Sequence, residues 1–148
     1  MLPYVVVELD PIGNISLVLQ IVILFLLILG LPFAKGLNTK KNLAIHGYLT
    51  IAALVLHTIL ILIVMIPSFR NGFGEIGELS AISSFTVWSH VVLGTAAEIS
   101  GIILVGAWLS NPISKMGCTR MKRWMLPTFI IWAVAIVNGA LVHILQLL

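Results

Sequence analysis

Few side chains in this sequence can hold a metal, ligate a cofactor or carry a proton, and half of the His, Cys, Asp and Glu residues, including every histidine, lie within or at the edge of long apolar runs. There are four histidines, His46, His57, His90 and His143, each within or at the edge of such a run, and Glu98 joins them. Neutral imidazole ligates haem iron, copper and zinc. An ionisable group kept inside an apolar segment is costly, so it points to function by default. Cys118 is the only cysteine, which excludes an intrachain disulfide and a thiolate cluster. No nucleophile elbow, phosphate-binding glycine loop or H-E-x-x-H motif occurs. Independent enzymatic activity by side chains alone is therefore not expected.

The elements that must position these residues follow from composition. Hydrophobic residues make up 60% of the 148 and charged residues 9%, against about 45–50% and 25% in soluble domains. Lipid must solvate so much apolar surface. The length allows one domain over residues 1–148. A hydrocarbon core of about 30 Å takes roughly 20 apolar residues to cross as a helix. Four stretches qualify: residues 15–34, 43–66, 85–109 and 124–148. Pro11 and Gly13 precede the first, Gly36 follows it, Pro67 and Gly72 follow the second, and Asn111–Pro112 follows the third. Pro127 is expected in the first turn of the fourth, where a missing N–H costs nothing. Because lipid leaves no backbone group unpaired, helix wins over strand despite the many β-branched residues. The predicted fold is an all-α membrane protein, a four-transmembrane-helix bundle.

Charge gives the bundle a direction. Lys35, Lys40 and Lys41 form one basic segment, and Lys115, Arg120, Lys122 and Arg123 form another; only Arg70 lies in the 67–84 loop, beside Glu75 and Glu78. The positive-inside rule puts both basic segments in the cytoplasm and both termini outside, N-out/C-out, in a multi-pass protein of the cytoplasmic membrane. Membrane-flanking charge explains these segments better than a nucleic-acid patch. With Glu8 and Asp10 where a basic n-region would stand, no cleavable signal peptide is expected.

Helical geometry then sorts the histidines. His46 and His57, eleven residues apart, share a face to within about 20° and lie roughly 16 Å apart along the axis. His90, Gly94, Ala97 and Gly101 form a stripe on the third helix, with Glu98 at its shoulder. Trp132, Gly139 and His143 share a face of the fourth. Counting from the charged borders puts His57, His90 and His143 within roughly 10 Å of the outer boundary, and His46 within about 8 Å of the inner one. Three helices thus bring histidines to one level, as a bundle-core cofactor site requires.

Three readings compete for that cluster. One is haem b with two axial imidazoles, drawn from His90 with His143 or from His57 with either. The second is a three-histidine copper or zinc site built from His57, His90 and His143. In the third, the histidines are hydrogen-bonded across helices, holding the bundle or relaying protons. Glu98 is expected to fix a ligand histidine's tautomer, or to serve proton relay or quinol binding. Gln20 and Asn138 read as interhelical hydrogen bonds, Met65 as filler or an axial ligand, and Trp88, Trp108 and Trp124 as interface anchors.

Ile45–His46 opening the second helix resembles a small four-helix membrane family, domain of unknown function 420. So do Ser89–His90–Val91–Val92–Leu93, then Lys122–Arg123–Trp124, Pro127, Trp132, Asn138–Gly139 and Val142–His143. The similarity covers about residues 40–148. Some members are linked to assembly of haem–copper terminal oxidases, so the resemblance implies a respiratory-chain setting and carries over His46 and His90 best. Members tend to have a histidine in the basic loop, where this chain has Lys, Arg and Met121. They have a tyrosine where His143 stands and no counterpart to His57. The expectation is a b-type haem electron-transfer protein working with a quinol pool or partner membrane subunits. The alternative is a non-catalytic assembly or accessory factor of a terminal oxidase.

Overall fold

The computed structural model describes residues 11–35, 40–72, 80–110 and 115–147, and these are almost entirely helical. Helix α1 is Pro11–Lys35 and α2 is Lys40–Leu60; a π turn, Ile61–Met65, joins α2 to α3, Ile66–Gly72. Helix α4 is Ala81–Leu109 and α5 is Lys115–Leu147. Four helical segments are long and apolar enough to cross a membrane: Ile12–Phe33, Lys41–Asn71, Ala81–Leu109 and Arg123–Leu145. The chain is a multi-pass membrane protein. The breakers expected at Gly36 and Asn111–Pro112, the residues Glu8, Asp10, Glu75 and Glu78, and Leu148 lie outside the described residues.

Helix boundaries differ from the expected ones for identifiable reasons. Pro11 opens α1 instead of standing before it, because a proline at the first helical position sacrifices no hydrogen bond. Pro67 does not end the second span, which runs on to Asn71. The N–H of Ile66 reaches back five residues to the Ile61 carbonyl. That wider turn makes room for the Pro67 ring, which would otherwise press on the carbonyl four residues earlier. Helix α5 starts at Lys115, nine residues before the expected start at 124, so Pro127 lies inside the helix and not in its first turn. Lys, Arg and Met are good helix formers. Hydropathy marks where a helix enters lipid, not where it begins. Cys118 and the second basic segment are therefore on a helix and not in a loop. At the other end of α4, Ser80 caps the helix, its hydroxyl oxygen accepting the Ser83 N–H at 3.2 Å.

The most extensive packing is α1 on α2 and α4 on α5, and smaller α2–α4 and α1–α5 contacts close the ring. The order round the bundle is therefore α1, α2, α4, α5. Ile23, Ala53, Leu54, Leu60, Ala97, Val105, Trp132 and Ile136 form its core. Large side chains such as Ile63, Ile82 and Phe85 are at least 70% exposed, as a lipid-facing surface requires. In lipid there is no hydrophobic gain from helix contact, so close backbone approach and interhelical hydrogen bonds hold such bundles. Gly101 shows the first: a Cβ there would stand 3.1 Å from both Leu54 and Trp132. Asn138 shows the second, its Nδ2 donating to Ser89 Oγ at 2.7 Å across α5 and α4.

Candidate functional site

Between α1, the α2–π–α3 segment, α4 and α5 lies a cavity of about 560 Å³, within the usual range for cofactor and small-molecule sites. His57, His90 and His143 all line it. Its apolar wall includes Ile61, Val64, Met65, Val87 and Val91; Ser16, Gln20, Arg70 and Thr95 supply further polar groups. The three histidines that depth counting places at one level thus share one chamber, and His46 is not on its wall.

Each ring is held differently. His57 is 3% exposed, and its Nδ1–H donates to Glu98 Oε2 at 2.7 Å. The other carboxyl oxygen, Oε1, lies 2.5 Å from the Thr58 hydroxyl, which also faces the Leu54 carbonyl at 2.9 Å. Trp132 packs edge-on against the His57 ring, centroids 5.2 Å apart. Glu98 of α4 and Trp132 of α5 therefore fix this imidazole on two sides.

His90 donates through Nδ1 to the Ala135 carbonyl of α5 at 2.9 Å. Its ring lies over Gly139, where an added Cβ would stand 2.6 Å from His90 Cε1 and 2.7 Å from Gln20 Oε1. Only glycine permits this approach of α1, α4 and α5. A carbonyl or carboxylate oxygen can only accept here, so Nδ1 carries the proton in both His57 and His90. In the neutral ring the Nε2 lone pair is then left available, and neither Nε2 has a hydrogen-bond partner among the described residues.

His143 differs. Its Nε2 lies 3.1 Å from Asn14 Oδ1 on α1, which with that amide orientation makes Nε2 the donor and gives the opposite tautomer. His46 donates from Nδ1 to the Gly30 carbonyl at 3.0 Å, clipping α2 to α1 at the far end of the bundle. Among the described residues, no three His, Cys, Asp or Glu side chains are grouped to hold one metal ion.

Some polar residues have other places than the sequence suggests. Gln20 makes no interhelical hydrogen bond among the described residues. Its Nε2 donates to Ser16 Oγ within α1 at 3.3 Å, and its buried Oε1 has no partner among the described residues. Trp108 is not a simple interface anchor: Gly47 of α2 packs directly on its ring, and Tyr48 meets it edge-on at 5.8 Å. Trp88 and Trp124 are exposed, as anchors would be. Met65 is on the cavity wall. Asn14 and Thr58 give no signal in the sequence, since each is a single small polar residue whose partner lies on another helix. Comparison with family models, curated proteins and solved structures returns no match for the chain.

Proposed function

We propose that this chain is a b-type haem protein of the cytoplasmic membrane, oriented N-out/C-out, that passes electrons between a quinol pool or partner subunit and an acceptor at the outer face. The observation that carries the proposal is the pairing of His57 and His90. Both rings line one largely apolar cavity, both are anchored through Nδ1, and both keep Nε2 unpartnered among the described residues. Histidines that ligate metals characteristically donate their other ring N–H to a carboxylate or a backbone carbonyl, which fixes tautomer and orientation. His57 has the carboxylate and His90 the carbonyl.

The residues present fit the group. A porphyrin iron takes one imidazole on each face, so its two ligands can stand on opposite walls of a cavity, whereas a lone copper or zinc ion needs three side chains gathered together. Gly94, where an added Cβ would meet nothing within 4 Å, leaves open space beside His90 for a flat ring. Bound there, haem would supply one-electron transfer. This chain's residues hold the ring, keep water from it and set ligand basicity through Glu98 and Ala135. Support for the orientation comes from the basic residues, which fall at the α1–α2 and α4–α5 ends.

Protein purified in mild detergent after expression with ample haem tests the proposal by its absorption spectrum and pyridine haemochrome. A low-spin b-type spectrum is expected, lost in His57→Ala and His90→Ala and retained in His143→Ala. No Soret band in folded wild-type protein overturns it.

A second reading rests on the other use of the same bonds. His46 and His90, the two histidines that the resemblance to domain of unknown function 420 carries over best, both clip neighbouring helices by bonding a backbone carbonyl. That suits a non-catalytic assembly or accessory factor of a haem–copper oxidase. Co-purification with oxidase subunits and no stoichiometric haem, copper or zinc is its signature.

A further inference from the structure

Resting on the haem reading, we infer that Arg70 recognises the ligand's carboxylates, so that the cavity selects a free-acid tetrapyrrole with its acidic edge turned towards α3. Beside the three histidines, Ser16, Gln20, Ser68 and Thr95 supply the other polar groups of the wall, and among the described lining residues Arg70 is the one permanent cation. Among the described residues no aspartate or glutamate lines the cavity and no carboxylate pairs with Arg70.

The position of Arg70 is set by its neighbour. Phe69 meets Trp88 of α4 edge-on, with centroids 5.7 Å apart and planes at 80°, which holds α3 against the bundle. Arg70 itself is exposed, so its guanidinium stays hydrated where the cavity opens while still forming part of the wall. A ligand whose apolar body lies against Ile61, Val64 and Met65 must bring any charged edge to a partner or to water, because a buried unpaired carboxylate is costly. A guanidinium forks onto carboxylate oxygens and is never deprotonated in practice. Haem carries two carboxylates along one edge, and Arg70 is where that edge finds both a partner and solvent.

The test titrates the whole purified protein in mild detergent with four probes: iron protoporphyrin, its dimethyl ester, and the two metal-free counterparts. Absorbance and porphyrin fluorescence report uptake, and Gly94→Leu, which fills the cavity, sets the background of partition into micelles. Wild type should take up the diacids about ten- to a hundredfold more tightly than the esters. Arg70→Gln should abolish that preference, and Arg70→Lys should keep part of it. His57→Ala and His90→Ala should lose the low-spin iron spectrum yet still prefer the metal-free diacid. Equal uptake of acid and ester, or a preference that survives Arg70→Gln, overturns the role of Arg70 while a low-spin spectrum leaves the haem reading standing. No uptake of iron protoporphyrin by folded wild type overturns the haem reading and this inference with it.

Discussion

The Nδ1 of His57 on α2 and the Oε2 of Glu98 on α4 are 2.7 Å apart, and this bond joins two helices whose packing is otherwise slight compared with the α1–α2 and α4–α5 pairs. It follows that the two hairpins of the bundle are tied together by polar chemistry next to the cavity. Glu98→Ala removes the acceptor of both His57 and Thr58, leaving a buried imidazole N–H unpaired. A loss of about 1–2 kcal/mol is expected, measured as unfolding by SDS titration in mixed micelles. Glu98→Gln, which still presents a carbonyl oxygen, should lose less. Replacing both partners, His57→Leu with Glu98→Leu, should cost less than Glu98→Ala alone, since no polar group is then stranded.

Gly139 makes the contrast with Gly94 a test of the chamber's geometry. Both glycines line the cavity, but a methyl at Gly139 collides with the His90 ring and Gln20, whereas one at Gly94 meets nothing. Gly139→Ala is expected to push His90 from the Ala135 carbonyl and destabilise the bundle by about 1–3 kcal/mol. Gly94→Ala should be neutral or slightly stabilising, because Ala is the better helix former. Thermal unfolding of the two variants side by side reads the difference. Equal midpoints would show that His90 moves aside freely.

How far the chain was legible from its sequence varies with the range of the interaction concerned. The spans were readable because lipid imposes one rule on every backbone group, and hydropathy reports it directly. Convergence of His57, His90 and His143 was readable as depth, since rise per residue is constant along a helix. Helix order was not: nothing in one helix's residues names its neighbour, and only the contacts put α2 beside α4 and so His57 beside Glu98. The shift of the α5 start to Lys115 was hidden because water, unlike lipid, puts no hydropathy mark on a helix. The tautomers were hidden too, because they depend on which oxygen each Nδ1 meets, and Ala135 contributes only a backbone carbonyl.

At the opposite end, Gly47 and Trp108 should be energetically coupled. An added Cβ at Gly47 would clash with the nearest Trp108 ring atoms, so α2 and α4 can approach there only because position 47 has no side chain. Gly47→Ala is expected to lose about 1–3 kcal/mol, and Trp108→Phe in the same chain should restore part of it. The double-mutant cycle, read by SDS unfolding, should give a coupling of about 0.5–3 kcal/mol. Additive effects would mean that the ring swings away at no cost. Because the cavity is lined by other residues, porphyrin uptake gives an independent check that the far end has kept its shape.

Gln20 supplies the last prediction. It is 5% exposed, and among the described residues its Oε1 has no hydrogen-bond partner although it lies on the cavity wall. Natural proteins rarely leave a buried acceptor unpaired, and such a group raises the free energy of the folded state by about 1–3 kcal/mol. Gln20→Met conserves length and volume while removing that acceptor, at the cost of one 3.3 Å bond to Ser16, a bond near the upper limit of useful distance. The variant without added ligand should therefore be as stable as wild type or more so, by up to about 1 kcal/mol. A residue kept against stability is kept for something else, and here the unpaired oxygen is beside His90. If the substitution instead loses more than about 1 kcal/mol, Oε1 is already satisfied in the protein without ligand, and Gln20 belongs to the framework of the bundle alone.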